Sequence, residues 1–302
     1  MEDMITGLCP QCGHTLHIPA ELASFSCMYC GARLTKEQLA AEPPAAQEAD
    51  EDRAAYYDRA VSRLGWCIKN FGGYQKKIMR DVFFEAFETY ETGCAPVIQE
   101  LARGVVPEQQ TQLLGRAAAA MLDELEAGWQ KKGDMEDEKI VLAIFFVPMV
   151  RKQQLPISEE FVTILQKQWV ERYPKSPFYL GDYESISGGF RKKFLGLCFI
   201  TTAVCQELGK PDDCEELTAF RAFRDGYLRS QPDGEALIRE YYNIAPGIVT
   251  CINTCSDRHA SYARIREEYL APCYQDLLAG RNESCKARYV RMVRDLEREY
   301  LS

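Results

Sequence analysis

The spacing of apolar and polar residues predicts helices through most of the chain. From Arg53 to Tyr173, apolar residues recur at three- and four-residue steps, which places them on one face of an α-helix. We expect glycines at positions 72, 73, 93, 104 and 133 to separate the helices. The pattern predicts a helical middle domain over residues 53–173. Its clearest apolar faces are Val82, Phe83, Ala86, Phe87 and Tyr90, and then Leu114, Ala118, Met121, Leu125 and Trp129.

A stretch rich in proline, glycine and aromatic residues, Tyr173 to Phe190, leads from this domain into a second helical region. Its aromatic side chains predict that it packs onto a neighbouring element. Beyond it, Leu195 to Cys205 is apolar and suits either a buried strand or a closely packed helix. We favour the helix, because its small residues permit close packing and the sequence offers no evident partner strands.

Two further helices are indicated by their ends and faces. Asp212 fits an N-cap with Glu215 at the third helical position, which predicts a helix that reaches Arg229. Asn282 to Leu301 carries apolar residues on one face, which predicts a terminal helix that docks on its own domain. We therefore expect a helical module over residues 188–302, and the predicted fold class is mostly α-helical.

The N-terminal segment departs from this pattern, because four cysteines fall there in two C-x-x-C pairs. The pairs are Cys9 with Cys12 and Cys27 with Cys30. A gap of two residues lets a short chain present two thiolates to one ion, and a glycine after each pair suits the turn that this requires. Zn²⁺ prefers such a closed set of four sulfur ligands. We therefore predict a zinc ribbon with β-hairpin knuckles over residues 1–41.

Other interpretations of the four cysteines fit less well. The chain has 13 cysteines, an odd number, and its start, Met-Glu-Asp-Met, lacks a basic and apolar signal segment. Both features favour reduced cysteines in a reducing, cytoplasmic location over cysteines paired in disulfides. A redox site uses a single C-x-x-C turn, so two matched pairs fit a zinc ribbon better. His14 and His17 lie close enough in sequence to compete as ligands, but four cysteines already fill a tetrahedral shell.

An acidic segment over residues 42–52 follows the ribbon. It contains five acids, two prolines and no base, a composition typical of a solvated linker. Just before it, Thr35 and Gln38 have the spacing of a capped helix start. The ribbon is therefore expected to be a separate domain.

Charge and hydropathy restrict the kind of partner. The formal net charge is −9 with a pI of about 5.1, and the ribbon carries four acids against two bases. Because phosphate contacts supply most non-specific affinity for nucleic acid, this balance argues against a nucleic-acid partner. The longest apolar run, Ile140 to Val150, contains a proline and is too short for a bilayer, so no membrane partner is expected.

Two arginines stand on an otherwise apolar part of the predicted helix that follows Asp212. Arg221 and Arg224 have apolar neighbours on either side, so partial burial is expected, and a buried charge requires a partner. Asp225, four residues after Arg221, is the expected partner, with carboxylates near the helix start as alternatives. These three residues are either a salt-bridge network or the wall of a pocket for an anionic ligand.

Three strings in this region resemble the CFI-box C-terminal domain of bacterial proteins. They are Cys-Phe-Ile-Thr-Thr-Ala-Val at 198–204, Leu-Thr-Ala-Phe-Arg-Ala-Phe-Arg-Asp at 217–225 and Tyr-Tyr-Asn-Ile-Ala-Pro at 241–246. The resemblance extends over residues 188–255 and implies a module that is joined to varied N-terminal segments, without implying a particular reaction. Many relatives carry a Tyr-Gly-Ser turn after the box. This chain has Cys205-Gln-Glu there, so a role for that turn is not implied.

A cysteine nucleophile would need a base and a positive environment. His259 is the one histidine outside the ribbon, so Cys198 with His259 is the available pair. Asp212 or Asp213 would orient the imidazole, and the arginines at 221 and 224 would lower the pKa of the thiol. A buried cysteine that only fills space is the competing interpretation.

A second metal site is a further possibility. Cys251, Cys255 and His259 are spaced four apart, and one continuous helix would place all three on one face. Ser256 and Asp257 look like a new helix start, which predicts a break between the cysteines and the histidine. A fourth ligand would come from Cys205, Cys214 or Cys273. Buried, reduced thiols are the simpler expectation.

Two functions follow from these features. The first is a zinc-binding adaptor or regulatory protein that recognises other macromolecules, with proteins as the expected partners. The alternative is a cysteine-dependent enzyme that uses Cys198, His259 and a pocket formed by Arg221 and Arg224.

Overall fold

The computed structural model describes residues 4–11, 15–28, 31–39, 50–191 and 198–302. The chain divides into two compact units, Met1–Asp52 and Arg53–Ser302. The strands belong to the first unit, and helices make up most of the second. The predicted fold class, mostly α-helical, is confirmed.

The first unit contains two antiparallel hairpins. Strands β1 (Met4–Leu8) and β2 (Thr15–Pro19) form one, and β3 (Ser24–Ser26) and β4 (Arg33–Thr35) form the other. A single 3₁₀ turn, Lys36–Gln38, follows β4. The backbone N–H of Thr35 donates to Gln38 Oε1 over 2.9 Å, so the capped start that the sequence indicates is present.

The second unit is built from helices of very different length. Apolar residues at helical spacing produce the long ones, because burying one continuous face favours the helical conformation. In chain order they are α1 (Asp50–Leu64), α2 (Trp66–Lys69), α3 (Phe83–Gly104), α4 (Gln110–Gly128), α5 (Lys132–Val141), a π-helical turn (Leu142–Phe146), α6 (Val147–Lys152), α7 (Ser158–Arg172), α8 (Tyr183–Arg191), α9 (Phe199–Glu207), α10 (Glu215–Asp225), α11 (Gly234–Cys255), α12 (Arg258–Ile265), a second π-helical turn (Arg266–Leu270), α13 (Ala271–Leu278) and α14 (Asn282–Tyr300).

The predicted apolar faces form the core of this unit. Phe83, Phe87 and Tyr90 of α3 are buried, and so is the face of α4 that contains Leu114 and Met121. The terminal helix α14 buries one face and packs on α11 and α13, as predicted. Residues 199–207 are helical, which agrees with the choice of helix over strand there.

The predicted middle domain and C-terminal module pack on each other in one continuous core. The backbone N–H of Arg80 donates to the carbonyl of Asn243 in α11 over 3.0 Å. Gly247, one turn further along α11, lies so close to the carbonyl oxygen of Ile78 that a Cβ atom there would be 1.9 Å from it. The long helix α11 therefore passes against the loop before α3 without room for a side chain.

The stretch between the two predicted helical regions also packs against this core. The backbone N–H of Tyr179 donates to the carbonyl of Thr254 over 2.7 Å, and Phe178 is fully buried. Its aromatic residues thus attach it to its neighbours, as the sequence indicates.

Four expected helix boundaries are wrong. Gly93 lies inside α3 and Gly133 inside α5, so neither separates helices. At Gly93 the ring of Phe71 packs where a Cβ would stand 3.4 Å away, and this contact outweighs the weak helix propensity of glycine. Helix α10 begins at Glu215 with Cys214, not Asp212, as its N-cap residue, and it ends at Asp225 and not at Arg229.

The described helices contain no candidate for a membrane span, since each is too short or too polar.

Candidate functional site

The cysteines of the N-terminal unit occupy equivalent places in the two hairpins. The last paired residues are Leu8 with Thr15 in one hairpin and Ser26 with Arg33 in the other. The loops therefore comprise residues 9–14 and 27–32, and cysteine is the first and fourth residue of each in the sequence. Cys9 and Cys27 therefore stand at equivalent positions, directly after the last paired residue of the first strand of each hairpin.

Two of the four predicted ligands can be placed. Cys9 and Cys27 are each at most 2% exposed and belong to one small core with Leu16, Ile18 and Leu34. Cys12 and Cys30 lie outside the described residues. His17 is exposed on β2 between the buried residues Leu16 and Ile18, so it faces away from this core.

The loop that begins at Cys27 turns through a glycine. The backbone N–H of Gly31 donates to the carbonyl of Cys27 over 2.8 Å, and that of Cys27 to the carbonyl of Ala32 over 2.8 Å. Gly31 has a φ of 76°, in the left-handed region that favours glycine, as expected from its position after the cysteine pair.

In the helical unit, the candidate residues Cys198, Arg224 and Asp225 come together. Cys198 precedes the first residue of α9, and its side chain is buried. Arg224 of α10 is 7% exposed, and its Nη1 donates to Cys198 Sγ over 3.5 Å and to the hydroxyl of Tyr242 over 3.1 Å. Its Nε and Nη2 donate to the two carboxylate oxygens of Asp225 over 2.8 and 2.6 Å. The buried guanidinium is thus neutralised by a bidentate pair.

Of the two partners that the sequence offers Arg221, the structure shows the carboxylate near the helix start and not Asp225. Arg221 donates to the backbone carbonyl of Asp212 over 2.7 Å and to its carboxylate over 2.8 Å. The Asp225 carboxylate is instead bound by Arg224 and lies near Arg229. The two arginines therefore point to different partners, and only Arg224 reaches Cys198.

Three tyrosines that sequence reasoning did not select complete this cluster. Besides Tyr242, the hydroxyl of Tyr241 accepts from the backbone N–H of Ile200 over 3.0 Å, in the first turn of α9. The hydroxyl of Tyr289 lies 3.4 Å from that of Tyr241 and 3.1 Å from Thr201 Oγ1. A tyrosine on the buried face of a helix must place its hydroxyl against a partner, and that requirement was the available signal.

Burial raises the pKa of the Cys198 thiol, although the charge of Arg224 partly opposes this. The pKa of Asp225 is lowered, chiefly because its carboxylate accepts hydrogen bonds from Arg224. The thiol is thus protonated at neutral pH, whereas a cysteine nucleophile requires a thiolate.

His259 is not near Cys198. Its side chain is 84% exposed, and its Nδ1 lies 2.9 Å from a carboxylate oxygen of Glu207, the last residue of α9. Cys198 stands at the opposite end of that helix, roughly 13 Å away along the axis at about 1.5 Å per residue. The structure therefore does not bring the predicted Cys–His pair together.

The residues considered for a second metal site are not brought together, and the simpler expectation of buried thiols holds for Cys251 and Cys255. Cys251 and Cys255 are buried in the last turns of α11, whereas His259 is exposed in α12, which begins after the predicted break. The Asp257 side chain caps α12 by accepting from the backbone N–H of Ala260. Within the described residues, no group of three or more histidine, cysteine or acidic side chains could hold a metal ion.

A cavity of about 60 Å³ lies beside the Cys198–Arg224 cluster. Its walls are almost entirely apolar, and the arginines that reach it are already paired: Arg224 with Asp225, and Arg294 with Glu240 over 2.5 and 2.6 Å. Among the described residues that line this cavity, an anionic ligand would meet no uncompensated positive charge. The lining residues include Phe220, Phe223, Leu237, Ile238, Val290 and Val293.

Comparison with known proteins gives no match for this chain, whether with family models, curated proteins or solved structures.

Proposed function

We propose that the N-terminal unit is a zinc ribbon in which Cys9, Cys12, Cys27 and Cys30 hold one Zn²⁺. Two observations support this. Cys9 and Cys27 are buried in the same small core, and each opens a hairpin loop of the same length. A unit with so few buried apolar side chains needs further stabilisation, which four thiolates around a zinc ion would supply.

We further propose that the protein is an adaptor or regulatory protein and that the ribbon contacts a protein partner. The observation that carries this proposal is Met28, which follows Cys27 in the second loop and is 78% exposed. Leu22, before β3, is also 43% exposed. Methionine is enriched at protein interfaces, and the acidic balance of the ribbon favours a protein over a nucleic acid.

The alternative, a cysteine-dependent enzyme, receives less support from the geometry. Cys198 is buried, its pKa is raised, and His259, the histidine of the helical unit, lies at the other end of α9. The residues around it are instead connected by hydrogen bonds that join α9, α10 and α11. We therefore assign this cluster to holding the helices together.

We also propose that residues 188–255 form a CFI-box-like module. The described parts of the three strings that carry the resemblance meet in one place. Cys198 comes from the first, Arg224 from the second, and Tyr241 and Tyr242 from the third. A cluster drawn from all three strings would explain why they occur in combination.

Two measurements on the full-length protein test the two parts of the ribbon proposal. Elemental analysis should find one zinc per chain in the wild type and in the control Cys214→Ser, and none in Cys27→Ser. A photo-crosslinking amino acid at position 28 should capture a protein partner in cells, whereas the same group at the exposed position Lys36 should not. Capture should also be lost when Cys27→Ser is combined with the probe.

Two results would contradict the proposals separately. Wild-type protein without zinc would refute the metal site. A zinc-loaded chain that crosslinks only to nucleic acid, or equally from positions 28 and 36, would refute the assignment of Met28 to a protein interface.

A further inference from the structure

Cys205 and Cys214 hold their sulfur atoms 3.9 Å apart where α9 leads into α10. A disulfide requires the two sulfur atoms to approach to about 2.05 Å, and rotation about the Cα–Cβ bonds moves the sulfur atoms over that remaining distance. The pair is therefore in the starting position for a covalent bond.

The end of α9 creates this proximity. The backbone N–H groups of Gly209 and Lys210 donate to the carbonyls of Gln206 and Cys205 over 3.0 and 2.9 Å, a Schellman motif. Gly209 has a φ of 67°, which reverses the chain direction. The backbone N–H of Cys214 then donates to the carbonyl of Pro211 over 3.1 Å, and α10 starts beside the helix that has just ended.

The two thiols differ in access. Cys205 is buried, whereas Cys214 is half-buried, and it is the one cysteine among the described residues that is not buried. Cys214 also stands at the N-terminus of α10, as its N-cap residue. Burial raises the pKa of the Cys205 thiol. Cys214 is thus the thiol that an oxidant can reach first, and Cys205 is the neighbour that can respond.

Other cysteine pairs in this unit provide a contrast. Cys67 lies next to Cys94, and Cys273 next to Cys285, but all four side chains are fully buried. In each of these pairs the two cysteines are neighbours, but a dissolved oxidant cannot reach their sulfur atoms. Among the described residues, only the pair at the α9–α10 junction combines two neighbouring cysteines with a thiol that solvent reaches.

We propose that Cys205 and Cys214 form a modification site that a peroxide oxidises to a disulfide. The Cys214 thiolate attacks one peroxide oxygen, the O–O bond breaks, and a sulfenic acid and one water result once the leaving hydroxide gains a proton. The Cys205 sulfur then attacks the sulfenic sulfur, the S–O bond breaks, and a second water leaves. Two thiols lose two electrons, and hydrogen peroxide gains them.

The bond would link the end of α9 to the start of α10. These helices also meet at their other ends, through Cys198 and Arg224. Oxidation therefore closes the short connection between two elements that are already packed together, and it should raise the melting temperature of the helical unit by about 5 °C. This site needs neither the zinc ion nor a protein partner, so it is independent of the proposed adaptor function.

The test uses full-length protein treated with hydrogen peroxide, alkylated with iodoacetamide and digested with trypsin and a glutamate-specific protease. Cleavage after Glu207 separates Cys205 from Cys214, so a disulfide appears as a linked peptide pair. We expect this pair in the wild type, its disappearance after reduction by dithiothreitol, and its absence in Cys214→Ser. In Cys205→Ser, Cys214 should accumulate as a sulfenic acid that dimedone traps.

Peptides that contain Cys94 or Cys285 should remain unlinked under the same treatment and serve as internal controls. The proposal is overturned if Cys205 stays fully alkylatable while Cys214 proceeds to sulfinic acid. It is equally overturned if the buried pairs become linked as fast as the pair at the α9–α10 junction.

Discussion

Arg224 is the residue on which the polar contacts of the Cys198 cluster converge. Its guanidinium donates to Asp225, Tyr242 and Cys198 from a position that is 7% exposed. A charge in such a place is tolerated only because nearly every donor has an acceptor. Its removal should therefore cost more than the loss of any one of these contacts.

We expect Arg224→Met to lower the free energy of unfolding by about 3 kcal/mol, because it leaves the buried thiol and hydroxyl without their donor. Urea unfolding followed by circular dichroism measures this. Arg229→Met is the matched control. Its side chain is 51% exposed and pairs with Asp225 and Glu235, so the loss should be under about 1 kcal/mol. Equal losses in both variants would contradict the structural role of Arg224.

The sequence predicted part of this cluster. The apolar residues around Arg221 and Arg224 indicated burial and the need for a partner, and Asp225 is indeed a partner. It pairs with the adjacent residue, however, because the direction of a side chain depends on what the helix packs against. The contribution of Tyr241 and Tyr289 depends on contacts between distant segments, which spacing along one chain does not reveal.

At the scale of elements, α11 illustrates how close packing controls position. Gly247 lies against the carbonyl oxygen of Ile78, and a Cβ at this point would overlap that oxygen. Because the obstacle is backbone, it cannot move aside as the end of a flexible side chain can.

We expect Gly247→Ala to destabilise the helical unit by roughly 2 to 3 kcal/mol, since α11 must shift to admit the methyl group. Gly133→Ala is the control, and it should change the stability in the opposite direction. Gly133 also lies within a helix, but a Cβ there meets nothing within 4 Å, so alanine should stabilise α5 by about 0.5 to 1 kcal/mol. Melting temperatures of the two variants distinguish the outcomes, and a neutral Gly247→Ala would contradict the packing.

Helix type was more predictable than helix ends. Apolar periodicity identified the buried faces of α3, α4 and α14, because each face is repeated over several turns. The ends of a helix depend on single residues, and the boundaries expected at Gly93, Gly133 and Asp212 are wrong. The Asp212 carboxylate is occupied by Arg221, a contact that replaces the expected cap.

At the scale of the whole molecule, the helical unit contains many buried thiols and phenols. Burial raises the pKa of Cys255 from an ordinary 9.0 to about 12, and it raises the pKa values of Tyr90 and Tyr241 as well. These groups keep their protons in the folded chain at pH values where the unfolded chain releases them.

Stability should therefore be constant from pH 7 to 8 and fall above pH 9, because the unfolded state then binds fewer protons than the folded state. Cys255 alone should remove about 2 to 3 kcal/mol from the free energy of unfolding between pH 9 and pH 11. Urea unfolding across this range measures the slope. Cys255→Ala should show a shallower one, and a flat profile up to pH 11 would contradict the burial of these groups.

The adjacency of Arg224 and Asp225 in the chain has a consequence for the order of assembly. Both residues belong to α10, so their carboxylate–guanidinium contact requires only that this one helix form. The charge of the Arg224 guanidinium is then compensated before the neighbouring helices pack against α10. Those helices remove water from a neutral ion pair instead of from a single charged group. A carboxylate supplied from a remote segment would instead leave the guanidinium without compensation until that segment arrived.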